Sequence, residues 1–181
     1  MEILNIQRTE ERKKAIELCK NLLEKHALVP VVGAGFSFDT PTDNGGTVPS
    51  AGDLHAKLFC YVEQYSGYSK KELEEIKEYN LSKLAETFWN IYGKVPEEGL
   101  RAFYGYIESN FQNISYQKDF QKAFLKVRWP YIFTLNYDSL IEDYSRDYYP
   151  VIPYDPINRH FSRDKINVYK LHGDAKKYVD T

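Results

Sequence analysis

The sequence predicts an α/β protein built on a parallel sheet, and three observations carry that prediction. Short β-branched or aromatic runs, uncharged apart from Lys170 in the third, alternate with segments of helical period. Each run is bounded by turn chemistry: Leu28–Val32, Tyr131–Leu135 and Ile166–Leu171. Each also leads into a polar or glycine-rich motif, and open α/β sheets place their ligands at the carboxyl ends of strands.

The elements follow in chain order. From Thr9 to about His26, Ala15, Leu18, Cys19, Leu22 and Leu23 recur at helical spacing. Glu10 and Glu11 occupy the opening turn, and Thr9 is the candidate N-cap. Leu28-Val29-Pro30-Val31-Val32 reads as a buried strand with proline near its start, ending in Gly33-Ala34-Gly35. Residues 39–49 are loop chemistry throughout. Ser50 and Asp53 form a capping-box pattern opening a helix through Leu54, Leu58 and Val62, and Ser69 with Glu72 repeats it. Residues 69–128 are helical in period with no strand, marked by Leu84, Phe88 and Trp89, then Phe120, Phe124 and Val127. Trp129-Pro130 breaks the pattern. The strand Tyr131–Leu135 follows, then Asn136-Tyr137-Asp138, a short helix to about Arg146, and a third strand running into His172-Gly173.

Composition narrows the function. The chain has 181 residues, close to one domain, and 43% hydrophobic content, enough for a core. With 24 basic and 26 acidic residues the net charge is −2, so no direct nucleic-acid binding is expected. The uncharged stretch Ala27–Phe38 spans 12 residues, against about 20 for a membrane span; no membrane partner is expected. The start leads straight into charges rather than an apolar signal core, so secretion is not expected. Two cysteines, Cys19 and Cys60, are too few for a disulfide framework or a four-thiolate zinc site, and a reducing cytoplasm fits them.

Gly33-Ala34-Gly35-Phe36-Ser37 is placed as a phosphate-cradling turn would be, since glycines admit a pyrophosphate to bare N–H groups. It lacks the third glycine of a Rossmann fingerprint and the Gly-Lys-Ser/Thr of a P-loop, and reads equally as a tight turn. Asn136 can orient a sugar hydroxyl or a water, having donors and an acceptor, or can serve as a turn residue. Asp138 reads first as the N-cap of the helix through Leu140 and Ile141. His172, at the third strand end, can act as a base near neutral pH, although a single histidine is commonly a packed or surface residue.

Together these blocks, Val31 to Ser37, Phe133 to Glu142 and Lys170-Leu171-His172-Gly173, resemble the sirtuin superfamily. The resemblance is closer to the NAD-cleaving branch of bacterial defence proteins than to protein deacetylases. It implies a Rossmann-like parallel sheet with a large helical insertion, residues 69–128, between the first and second motif strands. It further implies NAD as substrate, with Gly33, Ala34, Gly35, Phe36 and Ser37 at the phosphates and adjoining ribose. Thr134 and Asp138 would support the pocket, and Asn136 and His172 would be catalytic, holding the ribose or water and supplying the base. The implied activity is NAD hydrolysis to nicotinamide and ADP-ribose, serving anti-phage defence by NAD depletion. The alternative is a non-catalytic NAD or ADP-ribose binding module that regulates an attached effector; a remnant serving only protein contacts is a third reading.

No cysteine follows His172, so the zinc ribbon of the deacetylases is not expected, and no metal is. Eight residues follow Gly173, where family domains continue with further strands. Residues 1–181 are therefore read as a sirtuin-like NAD-binding domain incomplete at its C-terminus, needing self-association or a C-terminal effector or sensor region to complete the site.

Overall fold

The computed structural model describes residues 9–153, 155–157 and 160–177. Four strands form one all-parallel sheet: β1 (Val31–Val32), β2 (Tyr131–Thr134), β3 (Tyr148–Val151) and β4 (Ile166–Lys170), in the order β1-β2-β4-β3. The predicted α/β class and parallel sheet are thus observed, with helices supplying most of the remaining regular structure among the described residues.

β1 is shorter than expected. The run from Leu28 enters the sheet only at Val31, because Pro30 has no N–H to give. Its carbonyl still accepts from Phe133 N at 3.0 Å. Val32 is buried, whereas Val31 is 67% exposed. The pleat explains that difference: Val32, Ile132 and Val168 point to the face that the helices cover. Val31, Tyr131, Leu135 and Leu171 belong to the other face and are exposed.

β3 is a fourth strand where three were expected. Tyr148-Tyr149-Pro150-Val151 contains a proline, which argues against a central strand but is tolerated at an edge. Ile166 N donates to Asp147 O at 2.8 Å. Along a parallel strand, alternate residues turn their main chain to opposite sides. Tyr149 and Val151 therefore face β4, and Pro150 presents its missing donor to the open edge.

Helix α1 (Thr9–Glu24) begins at Thr9 itself, which places Thr9 in the first turn rather than before it. It ends two residues earlier than expected. His26, at φ +52°, occupies the left-handed C′ position. His26 N bonds Leu23 O at 3.0 Å and Ala27 N bonds Leu22 O at 2.8 Å, the paired bonds of a Schellman cap.

The four-residue turn α2 (Ala34–Ser37) follows β1, and α3 (Ala51–Tyr65) begins at the expected capping box. Asp53 N donates to Ser50 Oγ at 3.1 Å and Ser50 N to Asp53 Oδ2 at 2.8 Å. The second box, Ser69 with Glu72, opens α4 (Lys70–Lys77). Asn80 caps α5 (Leu81–Ile91), a 3-10 turn spans Tyr92–Lys94, and α6 (Glu97–Phe111) and α7 (Asp119–Leu125) complete the helical segment between β1 and β2. α8 (Leu140–Tyr144) connects β2 towards β3.

The residue 39–49 segment is more than a surface loop. Thr40 and Val48 are buried there, and Pro41 bridges Thr47 antiparallel. The core runs from the sheet, through Ile132, Val168 and Leu140, into the inserted helices through Val62, Leu84 and Ile91. Among the described residues no helix is long and apolar enough to cross a membrane.

Candidate functional site

The sheet order makes β1, β2 and β4 neighbours, so their three strand-end motifs emerge side by side. The last rungs hold them together: Leu135 N donates to Val32 O at 3.0 Å and Leu171 N to Thr134 O at 2.9 Å. Above these ends lies a cleft of about 470 Å³, within the range of about 300–1,000 Å³ usual for small-molecule sites. Its polar pole comprises Ser37, Asn136, Asp138 and His172, with Ala34 beside them.

Each polar residue is positioned by its local chain. Thr134 is buried, and its Oγ1 accepts from Asn136 N at 3.0 Å, which folds the chain back sharply beyond β2. Asn136 is 8% exposed and its Nδ2 donates to Ser37 Oγ at 2.9 Å. Asp138 is buried beside this pair, and the nearby Ser37 hydroxyl favours its ionised form. Asp138 Oδ1 accepts from Leu140 N at 3.1 Å, but the N-cap position falls to Ser139 rather than to Asp138 as expected, because α8 begins at Leu140.

At the third strand end, Gly173 adopts φ +107°, a conformation side chains rarely take. This turn leaves His172 exposed at the cleft, its ring 6.1 Å from that of Tyr137. The imidazole makes no hydrogen bond to another described residue.

The glycine turn contributes differently from residue to residue. Gly33 and Gly35 have negative φ and no atom within 4 Å of where a Cβ would stand, so packing does not require glycine at either place. Both leave the backbone open to close approach from outside. Phe36 turns away: its ring packs edge-on to Phe120 and Phe124, and its carbonyl accepts from Gln121 Nε2 at 2.5 Å. Of the expected site residues, Ala34, Ser37, Asn136, Asp138 and His172 share the cleft. Gly33, Gly35, Phe36 and Thr134 are not among its lining residues.

Two features escape sequence reading. The first is the opposite pole of the cleft, a largely apolar wall supplied by the inserted helices through Leu81, Phe88, Trp89, Tyr92, Phe103 and Tyr104. The Tyr92 and Tyr104 hydroxyls bond each other there, and Tyr104 is pushed up to about 12, first by burial and then by that bond. The helical period of α5 signals a buried face but not that part of it borders a cleft.

The second is Lys170, which is completely buried under the polar pole. Its Nζ donates to Asp138 O at 2.6 Å and Tyr137 O at 3.2 Å, and lies 3.3 Å from Glu142 Oε1 and 3.4 Å from Asp174 Oδ2. Burial pulls the ammonium down, but Glu142, Asp174 and Asp138 outweigh it and hold Lys170 above the ordinary lysine range. Burial pushes Asp138 and Glu142 above the usual carboxylate range, with Lys170 opposing it. Among the described residues no group of three or more His, Cys, Asp or Glu side chains is placed to hold a metal ion.

No curated protein matches the sequence. Residues 130–180 match the family model described as the SIR2-like domain, a stretch that contains β2, β3, β4, Asn136 and His172. Over that stretch, within an all-parallel sheet whose strand-end motifs stand side by side, the chain is similar to the SIR2-like domain, a likeness that supports a general NAD-related function.

Proposed function

We propose that the cleft takes the nicotinamide-ribose end of NAD and that the complete domain hydrolyses it to nicotinamide and ADP-ribose. The observation that carries this reading is the Asn136 amide. Its nitrogen is engaged by Ser37, which leaves Oδ1 as an acceptor with no partner among the described residues, in a cleft that also holds the His172 imidazole. An acceptor fixed in that way can orient a ribose hydroxyl or a water molecule.

In the reaction the C1′–N bond of NAD breaks and its electron pair leaves with the pyridine nitrogen, neutralising the ring. The positive charge left on the ribose is trapped by a water oxygen, and His172 accepts the proton that the water gives up. Asn136 orients the water or ribose. Ser37, Thr134 and Asp138 act through Asn136, and the open backbone at Gly33, Ala34 and Gly35 admits the phosphates. The apolar wall limits bulk water around the reacting carbon.

The setting proposed is NAD depletion in bacterial anti-phage defence, supported by the resemblance of the three motifs alone. A cytoplasmic location is proposed from the free, exposed Cys19 and Cys60, which suit a reducing compartment.

The test is nicotinamide release from NAD by the purified protein. Asn136→Ala and His172→Ala should each abolish release while the melting temperature is retained; full activity in either overturns the catalytic assignment. A second reading, NAD or ADP-ribose binding without turnover, is favoured by one observation: no described residue bonds His172 to fix its tautomer. Saturable NAD binding without nicotinamide release would establish it.

A further inference from the structure

A second cavity, of about 630 Å³, lies at the opposite end of the sheet from the cleft. Two charged turns build it. Lys126-Val127-Arg128 follows α7 just before β2, and Arg163-Asp164-Lys165 just precedes β4. The turns are distant in sequence, but β2 and β4 are parallel neighbours with Tyr131 opposite Asn167, so both reach the same end of the sheet. Pro130, Tyr148 and Ile166, at or beside the starts of β2, β3 and β4, line the cavity as well.

The charge there runs against that of the whole chain. The formal net charge is −2, yet Lys126, Arg128, Arg163 and Lys165 bring four cations to the cavity against the two carboxylates of Asp147 and Asp164. All four are exposed, and none of their side chains forms an ion pair or a hydrogen bond with another described residue. Cations gathered around a concave site raise the local potential and concentrate anions. Guanidinium groups match phosphate oxygens best. Aromatic residues stand beside them: Trp129 and Tyr144 are half-buried in the lining, and the indole is fixed by its Nε1–H bond to Phe124 O at 2.9 Å. A fixed aromatic ring can take a nucleobase by stacking. Asp147 and Asp164 stay unpaired with the cations, and carboxylates accept from ribose hydroxyls.

We propose that this cavity is a second nucleotide site, separate from the strand-end cleft, with the base against Trp129 and Tyr144 and the phosphates between the two basic turns. Base, ribose and phosphate each find a matching group there. The volume also lies within the range of about 300–1,000 Å³ usual for small-molecule sites. Nucleotide binding at this end of the sheet is independent of what the cleft does to NAD.

The two tryptophans of the chain report the two sites separately, because Trp89 lines the cleft and Trp129 the cavity. In Trp89→Phe, titration with ADP should quench the remaining Trp129 fluorescence saturably. Adenosine alone and inorganic pyrophosphate alone should each bind about tenfold more weakly or worse. Replacing Arg128 and Arg163 together with alanine in that background should weaken ADP by about tenfold or more, with the melting temperature retained. The pair Lys126→Ala and Lys165→Ala gives the same test if the arginine pair fails to fold. In Trp129→Phe, any response of Trp89 to ADP should be unaltered by the arginine substitutions. No saturable Trp129 response, or one that the folded variants leave unchanged, overturns the proposal. Pyrophosphate binding as tightly as ADP would show a plain anion site and overturn the nucleotide assignment.

Discussion

Replacing Ser37 with alanine separates two roles that the site assigns differently. As a direct phosphate ligand, Ser37 would be spent on NAD; in the structure it is 1% exposed and its hydroxyl oxygen accepts from the Asn136 amide. Removing the oxygen leaves the Asn136 N–H unpaired. An unpaired buried polar group costs about 1–3 kcal/mol. Asn136 keeps slight access to water at 8% exposure, which places the expected loss at about 1–2 kcal/mol. For a chain of this size each kcal/mol is about 2–4 °C, so the melting temperature should fall by about 2–8 °C. An amide free to rotate loses orientation, and a misplaced group of this kind costs on the order of 100-fold in rate. The loss should appear in kcat with KM nearly unchanged, because substrate binding itself is not removed. The assay is nicotinamide release against NAD concentration, paired with thermal denaturation. A raised KM with unaltered kcat and melting temperature would show Ser37 to be a ligand contact and refute the positioning argument.

Other substitutions probe the surroundings. Gly33→Ala and Gly35→Ala meet no atom within 4 Å, so melting should be unchanged while NAD affinity falls, as calorimetric titration would show. Asp143 is pushed up by burial, but the bonds from Lys176, Ser139 and Ile114 N together hold it below the ordinary 3.8. Its contribution is therefore complete above that ordinary value and lost as pH falls through the lowered one. The melting-temperature gap between the protein and Lys176→Met should narrow over that acid range; a constant gap would refute the linkage. His26→Gly relieves a left-handed histidine at the α1 cap and should stabilise by about 0.5–1 kcal/mol, read as a rise in the denaturant midpoint.

The strand-end motifs were legible because each rests on local chemistry. A glycine turn, an Asn-x-Asp turn and a His-Gly turn can be read within five residues of sequence, and the capping boxes at Ser50 and Ser69 within four. β3 was hidden because Pro150 denies the usual strand signature, and only the edge position revealed by the sheet order makes it acceptable. The meeting of Ser37 with Asn136 joins residues 99 positions apart, and no periodicity encodes it. Lys170 was read only as part of a motif, because a lysine next to a strand end is ordinarily a solvated residue. Its burial depends on Glu142 and Asp174, whose approach is a property of the folded chain. Phe36, expected beside the ligand, instead packs on α7, whose own position depends on the fold of the whole insertion.

The long interval between Ser37 and Asn136 also has a kinetic meaning. The helices between them can form on nearby contacts, as α3 and α5 do through Val62 and Leu84 in the shared core. The link between α2 and the turn after β2 must instead close a loop of about 100 residues, an entropic cost met only when β1 joins β2. This topology predicts that the site assembles late in folding and opens early in partial unfolding, ahead of the helices that form its apolar wall. Ligand occupancy should therefore slow amide exchange most at Asn136, Ser139 and Leu171, and least in the middle of α3.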